Sequence, residues 1–125
     1  IVLKNGIYRR NDIGIPNALN LSKSINLIGE SKNNVIVTTS DSLSWSQNST
    51  YNNVYQASRS AVVTVFDIRE SKNGIYSKLN RVDSLLECAN TIGSYYYASN
   101  VIYVNIGEEV TNNNVLCSLS ITIFL

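Results

Sequence analysis

Hydrophobic and polar residues alternate with a repeat of two along most of this chain. The alternation is visible at Ile1-x-Leu3, Leu19-x-Leu21, Ile25-x-Leu27, Val35-x-Val37, Val63-x-Val65, Val101-x-Tyr103 and Ile121-x-Ile123. A repeat of two puts successive side chains on opposite faces of an extended strand, whereas a helical face repeats about every 3.6 residues. Clusters of Asn, Gly, Ser and Asp separate the short segments and are typical of turns. The pattern therefore predicts an all-β chain of short strands.

The pentapeptide KNGIY occurs twice, at Lys4–Tyr8 and Lys72–Tyr76, and Lys32–Ile36 is a weaker third copy. In each copy a turn-forming pair, Asn-Gly or Asn-Asn, leads directly into β-branched or aromatic residues. We interpret the repeat as a recurrent turn-plus-strand device, in which the pair closes a turn and the following residues begin a strand.

Helix and strand compete only around residues 83–90. Ser84-Leu85-Leu86-Glu87-Cys88 fits a short helix and a buried strand equally well, and the strand is favoured because the rest of the chain is β. Further along, Tyr95–Tyr103 is predicted to form a β-hairpin.

The first strands recur at an interval that is typical of solenoids. Ile1-x-Leu3 and Ile25-x-Leu27 lie about 24 residues apart, with shorter strand patterns between and after them. In a solenoid each coil buries its hydrophobic face against the neighbouring coils. A β-sandwich also gives short, regularly spaced strands, so both architectures stay open at this point.

The stretch IVLKNGIYRR…ALNLSKSINLIGE…NNVIV resembles the opening coils of right-handed parallel β-helix proteins of the pectin lyase-like superfamily. The resemblance implies β-helix coils over residues 1–44, an inserted antiparallel β subdomain over 45–107 and a return strand over 108–125. The chain begins without Met, so we expect an N-terminal fragment of a longer β-helix protein. The superfamily includes polysaccharide lyases, hydrolases and epimerases, and the tailspikes and tail fibres of bacteriophages.

Composition narrows the classes of partner. The 125 residues suit one domain, and ten basic and nine acidic residues give a formal charge of +1 with no basic run. A nucleic-acid partner is therefore not expected. Polar residues interrupt every apolar cluster, so no membrane span is expected. The chain has no His and only two Cys, so neither a zinc site nor any other cofactor is predicted, and whether Cys88 and Cys117 pair is left open.

Glycan cleavage commonly uses two facing carboxylates. Asp67 and Glu87 interrupt apolar segments, and a partly dry environment would raise the pKa of either carboxyl. The alternative is that each side chain points to solvent or pairs with an arginine, Asp67 with Arg69 for example. None of the carboxylates stands in a diagnostic motif, so no catalytic residue is assigned and a complete active site is not expected in this segment.

The tyrosine-rich hairpin is the candidate binding site. Sugars offer apolar ring faces and many hydroxyl groups, which suit tyrosines flanked by amides. The candidate residues are Tyr95, Tyr96, Tyr97, Tyr103 and Asn100. Strand alternation predicts that Tyr95 and Tyr97 lie on the opposite face from Tyr96. Ordinary cross-strand aromatic packing is the competing interpretation, and Trp45 is expected in the core.

The resemblance implies three alternative functions. The first is a segment of a phage tail fibre or tailspike that contacts host-surface polysaccharide, located in the virion or at a cell surface and active as a homo-oligomer. The others are a fragment of a polysaccharide lyase or glycoside hydrolase, and a bacterial surface adhesin. The apolar, uncharged segment Ser118–Leu125 is the expected contact between copies.

Overall fold

The computed structural model describes residues 2–9, 28–31, 34–38, 40–62, 64–72, 75–118 and 122–124. The strands are β1 (Val2–Leu3), β2 (Gly6–Arg9), β3 (Ile28–Gly29), β4 (Val35–Thr38), β5 (Ser46–Gln47), β6 (Tyr55–Ser58), β7 (Thr64–Lys72), β8 (Ile75–Lys78), β9 (Asn80–Arg81), β10 (Ser94–Ala98), β11 (Val101–Asn105), β12 (Val115–Ser118) and β13 (Thr122–Phe124). One short helix, α1 (Leu85–Asn90), completes the described part of the chain. The fold is mainly β, as the alternation predicts.

The described strands form four sheets. Their strand orders are β1-β3, β5-β6-β11-β10-β9, β12-β7-β8 and β13-β4-β2. Most of the pairings are antiparallel. No β-helix or solenoid is identified, so the structure supports the β class and not the specific architecture expected from the resemblance.

Parallel pairing is concentrated near the start of the chain. β1 pairs in parallel with β3, with Val2 opposite Ile28, and β2 pairs in parallel with β4, with Gly6 opposite Val35. The pattern at Ile25-x-Leu27, which recurs about 24 residues after Ile1-x-Leu3, lies outside the described residues. β13 pairs with β4 in the antiparallel sense. The division into residues 1–44, 45–107 and 108–125 stays a prediction.

Each copy of the repeated pentapeptide leads into a strand. β2 begins at Gly6, β4 at Val35 and β8 at Ile75, as the turn-plus-strand interpretation predicts. Gly6 has a φ of +150°, which an L side chain rarely adopts. The Glu30 carboxylate accepts hydrogen bonds from the Asn5 N–H at 3.0 Å and from Lys4 Nζ at 3.1 Å, and so fixes the first turn. The Asn-Gly pair of the second copy lies outside the described residues.

The predicted hairpin is confirmed. β10 and β11 pair in the antiparallel sense, from Ser94 opposite Asn105 to Ala98 opposite Val101. Ser99 and Asn100 connect the strands with φ angles of 52° and 62°. Positive φ at both central residues is characteristic of the type I′ turn, whose twist matches that of the flanking strands.

The strand predicted at Ser84–Cys88 is wrong, because Leu85–Asn90 forms α1. Ser84 is the N-cap, and its Oγ accepts a hydrogen bond from the Glu87 N–H at 3.1 Å. The Glu87 carboxylate reaches back and accepts from the Asp83 N–H at 3.3 Å. The first bond satisfies a backbone donor that the first helical turn leaves unpaired, and the second ties the residue before the cap to that turn, so both favour the helix over the strand.

Two hydrophobic clusters lie on opposite faces of the sheet β12-β7-β8. The large core contains the buried residues Ala57, Val65, Leu79, Tyr95, Ile102, Val104, Ile106, Val110, Val115 and Cys117. The small core contains Ile36, Ile68 and Leu116. The large core therefore joins this sheet to the five-stranded sheet, and the small core joins it to β4.

Asn112 links distant parts of the chain. Its Oδ1 accepts hydrogen bonds from the Leu43 N–H at 2.9 Å and from Trp45 Nε1 at 3.2 Å, and its Nδ2 donates to the Leu43 carbonyl at 2.9 Å. The Asn112 carbonyl accepts from Arg9 Nη2 at 2.8 Å. Trp45 also packs against the large core, in agreement with the core role predicted for it.

The two cysteines, Cys88 and Cys117, are both buried and both free. Cys88 is the buried residue of α1, where its Sγ contacts the Ser94 carbonyl, and Cys117 belongs to the large core. Cys88 and Cys117 therefore do not form a disulfide, which answers the question that the sequence left open.

Candidate functional site

The hairpin distributes its tyrosines over two faces, as alternation predicts. Tyr95 is 7% exposed and belongs to the large core, and Tyr97 packs against that core. The Tyr97 hydroxyl donates to the Arg59 carbonyl at 2.8 Å and lies 3.4 Å from Asn100 Oδ1. Tyr95 is therefore a core residue, whereas Tyr97 is half-buried with its hydroxyl bonded at the hairpin turn, and Asn100 is exposed at that turn.

Tyr96 and Tyr103 lie on the other face of the five-stranded sheet. They are directly opposite each other on β10 and β11, and both are half-buried. Their rings are stacked, with centroids 5.6 Å apart and an interplanar angle of 25°. Cross-strand stacking of this kind stabilises a sheet, and the part of each ring that stays exposed is available to a ligand.

Polar uncharged residues continue the line of the two tyrosines across the sheet. Gln56 on β6 is opposite Tyr103, and Ser46 on β5 is opposite Gln56. Asn48 Nδ2 donates a hydrogen bond to Gln56 Oε1 at 2.7 Å. We call these five residues, Tyr96, Tyr103, Gln56, Ser46 and Asn48, the tyrosine–amide row.

Helix α1 covers the neighbouring part of the same face. Asn105 Nδ2 donates to the Cys88 carbonyl at 2.9 Å, and Ser94 Oγ donates to the Thr91 carbonyl at 2.6 Å. Ser94 and Asn105 are fully buried beneath this contact. Helix α1 thus bounds the tyrosine–amide row on one side, and we call the helix the wall of this face.

A concave region lies on the sheet β12-β7-β8, apart from the tyrosine–amide row. It has a volume of about 640 Å³ and is lined by Asp67, Arg69, Glu70, Ser77 and Glu108. The pairing of β7 with β8 shifts between Asp67 and Ser71, and this bulge carries Arg69 and Glu70. Bulges often redirect side chains toward clefts.

Arg69 pairs with two of the three carboxylates that line this cleft. Its Nη2 lies 2.6 Å from Asp67 Oδ2, and its Nη1 lies 2.7 Å from Glu108 Oε1. The hydrogen bonds from Arg69 hold the pKa of the Asp67 carboxyl below its ordinary value, and both carboxylates raise the pKa of Arg69. The raised pKa considered for Asp67 is therefore wrong, because the arginine outweighs burial. The alternative pairing of Asp67 with Arg69 is confirmed.

Glu87, the other carboxylate that interrupts an apolar segment, is exposed and caps α1 instead of lining a site.

Within the described ranges no group of three or more His, Cys, Asp or Glu residues is arranged to hold a metal ion. In that same part of the chain, no helix is long and apolar enough to cross a membrane.

Comparison of the chain with protein-family models, with curated proteins and with solved structures found no match. The function of this chain is therefore inferred from its own residues. Sequence reasoning missed Gln56, Ser46 and Asn48, since only the pairing of β6 with β5 and β11 brings them beside the tyrosines.

Proposed function

We propose that this chain is a carbohydrate-contact segment of a β-rich surface protein, and that the tyrosine–amide row is its contact face. The observation that carries the proposal is the position of Tyr96 and Tyr103, two half-buried rings on the outer face with amide side chains beside them. On this proposal the segment binds glycan without cleaving it.

The chemistry of the row suits a sugar. An exposed aromatic ring stacks on the apolar face of a pyranose, and amides and hydroxyls exchange hydrogen bonds with its hydroxyl groups. A single contact of this kind contributes on the order of 1 kcal/mol beyond the buried area. Useful binding therefore requires several copies acting together, which fits a homo-oligomer.

We further propose the setting that the resemblance suggests, a phage tail fibre or tailspike of the parallel β-helix type that contacts host-surface polysaccharide. The parallel pairs β1–β3 and β2–β4 favour stacked coils near the start of the chain. The antiparallel pairing of β13 with β4 argues against a continuous stack through this region. A location in the virion or at a cell surface follows from the same proposal.

A fragment of a polysaccharide lyase or glycoside hydrolase is the second candidate. It is favoured by one observation, the cleft in which Asp67, Glu70 and Glu108 converge. The charge on Asp67 is stabilised by Arg69, so this carboxyl is poorly suited to donate a proton to a leaving group. The geometry therefore supports contact better than cleavage.

The test is binding by a multivalent form of the chain to a panel of immobilised polysaccharides. Substituting both row tyrosines, Tyr96→Ala with Tyr103→Ala, is expected to abolish retention because the stacking surface is lost. Tyr8→Ala is the matched control, since Tyr8 is a half-buried tyrosine on a different sheet. Circular dichroism establishes that each variant keeps its β signature.

Equal retention of the double variant and the unmodified chain would contradict the proposal, as would the absence of retention on every polysaccharide. Release of reducing ends or unsaturated uronates from any polysaccharide would favour the enzyme fragment instead.

A further inference from the structure

The face around the tyrosine–amide row carries no charge at its described positions. Ser58, Ala98 and Val101 extend the row toward the hairpin turn, because Val101 is opposite both Ser58 and Ala98. The helix α1, which forms the wall, contributes a single charged residue, and this is the acidic Glu87. A ligand on this face therefore meets aromatic, amide and hydroxyl groups, and no cation.

The amide groups of the row have a defined orientation. Asn48 Oδ1 accepts hydrogen bonds from the backbone N–H groups of Thr50 and Tyr51, both at 2.9 Å, so Asn48 Nδ2 must be the donor to its other neighbour. That neighbour is Gln56 Oε1, at 2.7 Å. Gln56 Oε1 is thereby occupied by Asn48, so Nε2 is the part of the Gln56 amide that can donate to a ligand, on a residue opposite Tyr103.

We propose that the tyrosine–amide row selects uncharged saccharides over those that carry a uronic or sialic acid carboxylate; this inference rests on the proposed function. Hydroxyl, ring and acetamido oxygens accept hydrogen bonds from a neutral amide donor such as Gln56 Nε2 without a counter-charge. A carboxylate that leaves water for this face loses hydration and finds no positive partner.

The described arginines of the neighbouring elements do not supply that partner. Arg81 on β9 is opposite Tyr95, so it belongs to the other face of the sheet. Arg59, at the end of β6, is 7% exposed, and its Nε donates to the Ala61 carbonyl at 2.9 Å. Arg69 is held by Asp67 and Glu108 in the cleft on another sheet. The described positions of the row therefore carry no charge, and the described carboxylates lie on α1 or on other parts of the chain.

The test compares multivalent chain on two sets of immobilised polysaccharides, neutral glucans or galactans and acidic polygalacturonate or alginate. We expect at least one neutral polymer to be retained about tenfold more strongly than either acidic polymer, because a carboxylate on this partly exposed face loses some hydration without gaining a positive partner. Retention on the neutral polymer is expected to be insensitive to salt, because no ion pair contributes to it.

A charge variant examines the reason for the selectivity. Gln56→Lys places a cation beside Tyr103 and is expected to increase retention on polygalacturonate, with the gain lost at high salt. Asn113→Lys adds the same charge at an exposed turn position outside the row and outside the cleft, and is the matched control, expected to leave the preference unchanged.

The outcomes separate the two proposals. Stronger binding of acidic than neutral polymers, abolished by Tyr96→Ala with Tyr103→Ala, overturns the selectivity and keeps the carbohydrate-contact function. No effect of Gln56→Lys on acidic binding also overturns the selectivity, because a nearby cation would then not matter. Absence of binding to every polymer overturns both.

Discussion

At the residue scale, Cys117 is a thiol whose surroundings oppose its ionisation. Burial raises its pKa to about 12, although the positive charges of Arg59 and Arg9 act in the opposite direction. Cys117 is 1% exposed, so loss of hydration outweighs both arginines. Burial raises the pKa of the Cys88 thiol as well. Neither thiol is expected to react while the chain is folded.

The raised pKa of Cys117 makes stability depend on alkaline pH. An unfolded thiol, with a pKa of 9.0, loses its proton before the folded one, whose pKa is about 12. The folded state binds the extra proton in this range, so the free energy of unfolding is expected to fall as pH rises above about 9. Below that pH both states are protonated and the full stability is present.

Urea denaturation at neutral pH and at about pH 10 measures this effect. Cys117→Val keeps an apolar side chain of similar size and is expected to show a smaller loss of stability between the two conditions. An equal loss in the variant and the unmodified chain would mean that other groups cause the alkaline sensitivity.

At the element scale, local patterns predicted local structure well. The alternation of Tyr95 and Tyr96 between faces, and the hairpin that carries them, depend on neighbouring residues alone and were readable from the sequence. The same holds for the strand that follows each turn pair. A strand was predicted in place of α1 because Leu85 and Leu86 suit either element. The local signal for the helix is the capping pattern Ser84-x-x-Glu87.

Long-range pairing limited the prediction of the candidate site. Gln56 lies beside Tyr103 only because β6 pairs with β11 in one particular register. Nothing near either residue in the sequence specifies that register, since it depends on the packing of whole strands. For the same reason the ion pair between Arg69 and Glu108, which joins distant segments, was not foreseen.

The cap of α1 leads to a prediction at this scale. Ser84→Ala removes the acceptor for the Glu87 N–H and is expected to lower the free energy of unfolding by about 1 kcal/mol. Ser60→Ala, at an exposed position outside helix and strand, is the control and is expected to change it by less than about 0.5 kcal/mol. Urea denaturation checks both, and equal midpoints for the two variants would contradict the capping role.

At the scale of the whole molecule, the sheet β12-β7-β8 lies between two cores. Val65 and Cys117 contribute to the large core, whereas Ile68 and Leu116 contribute to the small core. Asn112 adds polar links across the same region by bonding Leu43, Trp45 and Arg9. The central sheet therefore joins the two cores, and the Asn112 side chain couples its own turn to the segment that carries Leu43 and Trp45.

Asn112→Leu tests this coupling. The substitution leaves the Leu43 N–H and C=O and the Trp45 Nε1 without the partners that they have now. We expect the free energy of unfolding to fall by about 2–4 kcal/mol, because several half-buried polar groups lose their hydrogen bonds together. Trp45, the single tryptophan, reports the transition by fluorescence during urea denaturation.

The neighbouring residue supplies the control for this experiment. Asn113 is exposed, so Asn113→Leu is expected to shift the free energy of unfolding by less than about 0.5 kcal/mol. If Asn112→Leu unfolds at the same urea concentration as the control variant, the side chain does not couple the parts of the chain that it contacts.

The position of β12 has a consequence for the order in which this chain folds during synthesis. Val115 and Cys117 face one core and Leu116 the other, yet these residues leave the ribosome after nearly all of their partners. Neither core is completed until this late strand pairs with β7. We infer that the nascent chain keeps apolar surface exposed until β12 emerges, and that folding is then a late, concerted event instead of a stepwise one.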